Sequence, residues 1–386
     1  MLSRRLPPHT DVNALTRALA ARREAGKPII DLTESNPTRA GITYPADLLR
    51  GLSAEEGLRY EPQALGMRRA REAVARDHVR RGVTLDPDRI VLTASTSEAY
   101  TWLFKLLCDA GDAVLVPRPS YPLFEHLTRL EGVEAIPFDL VYEGRWEIDF
   151  STLRGAPQNV RAVIIVSPNN PTGSYVTEPE LQRLTALCRD RGWALIADEV
   201  FADYPLDVRA RLTDIAARVD VPAFTLGGLS KTAGLPQLKL GWIAAGGPPA
   251  FHTQALAGLE LIADSFLSVN TPVQLALGEL LERGADIRMQ IHDRIRANLA
   301  ALQESARSFP AADVFRVEGG WSAVLRVPSV LTEEQLILRL LDEQGILAHP
   351  GYFFDFPRES FVIVSLLPPA AVFRDAVARL LRVATS

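Results

Sequence analysis

Short apolar runs that do not alternate with polar residues constrain this chain most. Ala162-Val163-Ile164-Ile165-Val166 and Trp193-Ala194-Leu195-Ile196-Ala197 are continuous, and Ile90-Val91-Leu92-Thr93, Ala113-Val114-Leu115-Val116 and Ala223-Phe224-Thr225-Leu226 nearly so. A strand with one face in water alternates, whereas an unbroken run fits a parallel strand covered by helices on both faces. Helical stretches separate these runs, so residues 46–270 are expected to form a large α/β domain with a mainly parallel sheet. A chain of 386 residues is long for one core. Residues 1–45 and 271–386 are therefore assigned to a smaller α+β domain. It contains a long amphipathic helix over Gln274–Phe309 and strands at Trp321–Leu325 and Phe361–Ser365.

Composition narrows the function classes. The net charge of -5 offers no basic surface suited to nucleic acid. No run approaches the 18 apolar residues of a membrane span. Met1-Leu2-Ser3-Arg4-Arg5-Leu6-Pro7-Pro8 lacks the apolar core of a secretory signal. Cys108 and Cys188 lie in apolar helical contexts that suit buried thiols in a reducing compartment, so a cytoplasmic location is expected. The six histidines do not fall at metal-ligand spacing, and only His349 has a suggestive setting.

The chain carries four lysines against 38 arginines. Chemistry that needs a primary amine cannot use arginine, whose guanidinium stays protonated. Lys27 in a polar turn and Lys105 in a helical stretch read as surface residues. Lys231, in Leu229-Ser230-Lys231-Thr232-Ala233-Gly234-Leu235-Pro236, follows a strand and opens a loop able to aim a side chain into a cleft. Ser167-Pro168-Asn169-Asn170-Pro171-Thr172-Gly173 and Asp198-Glu199-Val200 each follow a buried strand, where open α/β sheets bind ligands. A buried Asp198 needs a cation, and a protonated pyridine nitrogen is one. Ala94-Ser95-Thr96-Ser97-Glu98 at a helix start suits a phosphate, although alone it reads as a capping box. Pro119-Ser120-Tyr121-Pro122 sets an aromatic on a rigid turn, suited to stacking on a flat ring.

In order and spacing these segments resemble the fold-type I pyridoxal-phosphate enzymes, specifically the class I/II aminotransferases, over roughly residues 28 to 380. The resemblance implies pyridoxal 5'-phosphate as cofactor, with Lys231 its Schiff-base lysine and Asp198 the partner of its ring nitrogen. It implies Asn170 on the phenolic oxygen, Tyr121 against the ring, and Thr96, Ser97 and Lys239 around the phosphate. Tyr60, in Tyr60-Glu61-Pro62-Gln63-Ala64-Leu65-Gly66, resembles the tyrosine that reaches the neighbouring subunit's phosphate, which implies a homodimer.

Two departures stand out. Phe201 occupies the place of the usual tyrosine three residues after the Asp. Ile363 of Ile363-Val364-Ser365 occupies that of the arginine that holds the substrate carboxylate. Arg358, and Arg39 of Asn36-Pro37-Thr38-Arg39, are the candidate substitutes, and Asn36 and Arg358 are the expected substrate-binding residues. The leading expectation is a transaminase acting between an amino acid and a 2-oxo acid. A lyase, a cyclase or other non-transaminating enzyme on the same scaffold, and a catalytically silent pyridoxal-binding protein, stay open as alternatives.

Overall fold

In the computed structural model, residues 3–7, 12–207 and 212–386 are described. Residues 1, 2 and 8, on which part of the reading of the N-terminus rests, lie outside them. An eight-stranded sheet runs in the order Ile90–Thr93, Gly241–Gly246, Ala223–Gly228, Ala194–Asp198, Val160–Val166, Ala113–Arg118, Glu134–Tyr142, Trp146–Ile148. The pairings of the five strands from Ala223–Gly228 to Glu134–Tyr142 are parallel. Gly241–Gly246 runs antiparallel to both neighbours, and Trp146–Ile148 closes the other edge antiparallel.

The unbroken apolar runs are buried on both faces, as expected. Val163, Ile165, Leu195 and Ala197 pack into one core, while Ala162, Ile164, Val166, Ala194 and Ile196 pack into another. This two-residue period divides a uniformly apolar run between two layers.

The long helix runs Thr271–Ala306, starting three residues before the sequence expectation because Asn270 caps it through the Val273 N–H at 3.1 Å. Its apolar stripe, including Leu277, Leu281, Ile287, Ile291 and Ile295, joins a third core. That helix packs on Arg68–Val79 and on the C-terminal helix Ala370–Ala384. A four-stranded antiparallel sheet orders Asp313–Val314, Ser322–Arg326, Phe361–Ser365 and His349–Pro350. Ile30–Asp31 pairs in parallel with Ile346–Leu347, which ties the N-terminal segment to the C-terminal part of the chain. The Ser365 N–H then bonds the Leu32 carbonyl at 2.6 Å, and the Ser365 hydroxyl bonds the Glu34 carbonyl at 2.6 Å.

From Ala113–Arg118 the chain builds outward to one side of the sheet, and from Val160–Val166 to the other. Such a switch in direction leaves a crevice beyond the carboxyl ends of the strands. Ser120 and Asn169 bridge its two banks at 2.7 Å, and Asn169 also bonds the Pro119 carbonyl and the Thr172 hydroxyl. Gly173 turns this loop at φ 71°, where a side chain would meet the Gly319 carbonyl at 2.6 Å. Its own carbonyl accepts the Glu318 and Gly319 N–H groups, fastening the loop to the segment that enters the small sheet.

Candidate active site

A cavity of about 320 Å³ opens at the switch point, walled by loops of the large sheet and by Trp321, Ser322, His349, Ile363 and Ser365 of the small-sheet region. Lys231, Asp198, Asn170, Tyr121, Thr96 and Ser97, singled out from five separate segments, all line it.

Lys231 sits in the short turn Leu229–Thr232. Main-chain contacts clamp this turn: the Tyr204 hydroxyl donates to the Lys231 carbonyl at 2.5 Å, Arg288 to the Thr232 carbonyl at 2.8 Å and Tyr44 to the Gly234 carbonyl at 2.7 Å. The Lys231 Nζ lies 4.7 Å from the Trp321 ring centroid and 5.4 Å from that of Phe201. Burial pulls its pKa down to about 8, with Asp198 opposing.

Asp198 ends its strand buried. One carboxylate oxygen accepts the Tyr100 hydroxyl at 2.9 Å and the other the Val200 N–H at 3.1 Å. Burial still pushes its pKa up, against both hydrogen bonds and Lys231. Thr96 and Ser97 begin the helix Thr96–Leu107, capped by Ser95 through the Glu98 N–H. The capping box is altered, because the Glu98 carboxylate takes the Ala94 N–H and the Ser268 hydroxyl rather than the cap's own N–H. The first N–H groups of a helix point outward and favour an anion there.

Of two adjacent asparagines, Asn169 is committed to the loop and Asn170 faces the cavity, 3.3 Å from the Ser322 hydroxyl. Four other sequence candidates do not line it. Lys239 is exposed in a left-handed conformation at φ 51°. Tyr60 is 80% exposed and lines a separate groove with Trp102 and Leu267. Asn36 is half-buried and turned on its own loop, accepting the Thr38 N–H and hydroxyl. Arg358, and Arg39 as well, are exposed, so neither lies on the cavity wall that Ile363 makes apolar. Tyr204, whose hydroxyl is spent on a carbonyl, does not supply the phenol absent at Phe201. Tyr100, Ser230, Trp321 and Ser322 were not singled out from sequence, yet all four line the site.

The profile of the family described as aminotransferase class I and II matches residues 27–380. The chain belongs to that family. It is 28% identical to alanine aminotransferase of Mycobacterium tuberculosis, over 94% of this chain and 87% of that protein. It is 25% identical to glutamate-pyruvate aminotransferase AlaA of Haemophilus influenzae, over 93% and 91%. An alanine aminotransferase from Pyrococcus furiosus superposes with a TM-score of 0.89 at 22% identity, covering 99% of each chain. Class I and II aminotransferases are pyridoxal-phosphate enzymes, and this chain is one that transfers amino groups. Its fold is the fold-type I arrangement, a large mainly parallel sheet with a smaller antiparallel one.

Proposed function

We propose that this chain is a homodimeric, cytoplasmic aminotransferase whose amino donor has an uncharged side chain, with a 2-oxo acid as acceptor. The observation that carries the reading is a primary amine, Lys231, between two aromatic rings in the same cavity as a buried carboxylate, Asp198, that among the described residues has no cation but that amine around it. These residues fit pyridoxal phosphate. Asp198 would hold the ring nitrogen, Thr96, Ser97 and Ser230 the phosphate, Tyr121 the ring face and Asn170 the phenolic oxygen. Pyridoxal phosphate held there would supply a carrier for the amino group and a sink for the electrons of the donor's Cα–H bond.

Lys231 then does the proton work. Burial, which lowers the Lys231 pKa to about 8 in the cofactor-free chain, favours the neutral amine that can take a proton from the donor's Cα and return it. The clamp on the Lys231 carbonyl keeps this excursion in the side chain. No arginine lines the cavity among the described residues, while Phe201, Trp321, Phe353, Phe354 and Ile363 do. That wall suits an uncharged side chain better than a second carboxylate. The names of the alanine and tyrosine aminotransferases among the relatives agree, while that of glutamate-pyruvate aminotransferase AlaA includes a donor with a second carboxylate.

A dimer is supported by exposed Tyr60, Phe266 and Leu267, Tyr60 and Leu267 lining one groove, since apolar groups of that size commonly mark an interface. Two free thiols suit a reducing compartment. We propose domain limits of 46–270 and of 1–45 with 271–386, a division supported by the eight-stranded sheet lying between residues 90 and 246 and the four-stranded one between 313 and 365.

Single-turnover mixing with alanine, phenylalanine and aspartate tests the reading. Loss of the bound aldehyde's absorbance with release of a 2-oxo acid is expected for the first two and not for aspartate. Ammonia release with the aldehyde retained would mark a lyase instead, and sedimentation at micromolar concentration reads the dimer.

A further inference from the structure

We infer that His349 is the cation that receives the substrate's carboxylate, from the strand beside the one on which the family places its arginine. The inference rests on the aminotransferase reading and supplies what Ile363 leaves out.

Strand register carries the argument. His349 pairs directly with Ile363, and Ser322 with Ser365, across the antiparallel sheet. Residues directly opposite one another project from the same face, and all four line the cavity. The face therefore presents an imidazole at the position adjoining the isoleucine. Its hydroxyls are already engaged: Ser365 donates to the Glu34 carbonyl and accepts the Leu367 N–H, and Ser322 lies 3.3 Å from Asn170. His349 is different, because among the described residues neither ring nitrogen has a hydrogen-bond partner, and Nδ1 is fully enclosed. Nε2 is left as the nitrogen that a ligand in the cavity can reach. Phe353 and Phe354 flank the ring at 5.7 Å, fixing its position. The enclosed indole N–H of Trp321 also lacks a partner on the same wall.

Burial holds His349 below the ordinary histidine pKa, with Asp31 pulling the other way. Other ionisable groups around it are Glu333, on the helix packed against its strand, and Lys231, Asp198, Tyr100 and Tyr121 on the cavity walls. Glu333 is occupied with the Tyr352 and Phe361 N–H groups. The imidazole is therefore mostly neutral until an anion arrives. A carboxylate at Nε2 stabilises the imidazolium, so binding draws in a proton and weakens as pH rises.

The test uses the holoenzyme and the unreactive carboxylate 3-phenylpropionate. Calorimetry in two buffers of different ionisation enthalpy should show proton uptake on binding to the parent at pH 8, and none with His349→Gln. Affinity should fall about ten- to a hundred-fold, the range for a hydrogen bond to a charged group. For phenylalanine, His349→Gln should raise KM with little change in kcat, while turnover of 2-phenylethylamine, which lacks the carboxylate, should not move. His349→Gln keeps a polar group of similar size, and a second variant, His349→Phe, should show the same loss of proton uptake. Equal affinity and equal proton uptake in parent and variant would overturn the proposal, and so would absence of 3-phenylpropionate binding to the parent. A parent that binds with proton uptake but transaminates no amino acid would sink the reading of function while leaving His349 standing.

Discussion

Two buried charge clusters flank the end of the strand Ala194–Asp198, and they are built on opposite rules. Asp198 and Glu199 are neighbours in sequence and, as consecutive residues at a strand end, face opposite sides. On the cavity side, Asp198 has two hydrogen bonds from neutral donors and, among the described residues, only Lys231 as a nearby cation, and burial pushes its pKa up. On the other side, Glu199 accepts the N–H groups of Asp214 and Ile215 at 2.6 and 2.8 Å. Asp214 pairs with His78 and with Arg81, the latter at 3.4 Å, and Arg80 bridges to Asp203 and Asp77. There the Arg81 and Arg80 charges hold Asp203 below the usual carboxylate range despite burial, and the His78 hydrogen bond and the Arg81 charge do the same for Asp214. One cluster pairs its charges within the fold, although Glu199 in it is pushed up to about 8 by burial and by Asp214. The other leaves its carboxylate short of a counter-charge, which is the form a ligand site takes.

Lys231→Ala breaks the comparison on its open side and should have the largest effect. Amino transfer should fall about ten-thousand-fold, the upper range for a positioned acid–base group, and borohydride should no longer fix cofactor to the chain. Stability should move the other way. A lysine whose folded pKa is near 8, below its ordinary 10.5, destabilises the cofactor-free fold fully below pH 8 and progressively less as pH rises to 10.5. Cofactor-free Lys231→Ala should thus melt above the parent at pH 7, with the gap closing by pH 10.5. A lower melting temperature at pH 7 would mean that the lysine packs rather than waits for a ligand.

Asp214→Ala attacks the closed side. It strands Arg81 and His78 in a buried setting, and removing one member of such a group costs about 3–5 kcal/mol. Urea unfolding should show that loss, while KM for the amino donor stays within a few-fold. An unchanged urea midpoint would show that water repays the missing carboxylate and that the cluster is not closed.

The two sides also differ in how far they were legible beforehand. Strand runs that are apolar throughout announce burial on both faces, and scarcity of lysine draws attention to Lys231, so the sheet and the centre of the site could be read from local pattern. The wall could not. Arg358 follows a proline in an aromatic loop and lies near the site in sequence, yet it points to solvent; only the register of Phe361–Ser365 against His349–Pro350 shows which residue stands beside Ile363. Lys239 and Tyr60 are exposed in a single chain, and their expected roles concern a phosphate and a second subunit that one sequence cannot position. Tyr100, in the helix Thr96–Leu107, looks like any aromatic on an apolar helix face. Its partner is 98 residues away.

Tyr100→Phe gives the finest test of the comparison and the smallest expected change. The hydroxyl supplies one of the two hydrogen bonds to Asp198, and burial keeps its own pKa well above the ordinary tyrosine value, so it remains a donor throughout the working range. Phenylalanine keeps the ring against Phe104 and Phe124, and packing should be nearly preserved. Asp198 then has only the Val200 N–H, and its pKa, already raised by burial, rises further because a bond that favoured the charged form is gone. The carboxylate is needed charged, so the acid limb of the kcat/KM profile should move to higher pH. At neutral pH kcat/KM should fall about tenfold, equivalent to about 1.4 kcal/mol, with the urea midpoint almost unmoved. A profile superposable on the parent's would place the Tyr100 bond with the closed cluster, as part of the fold rather than of the site.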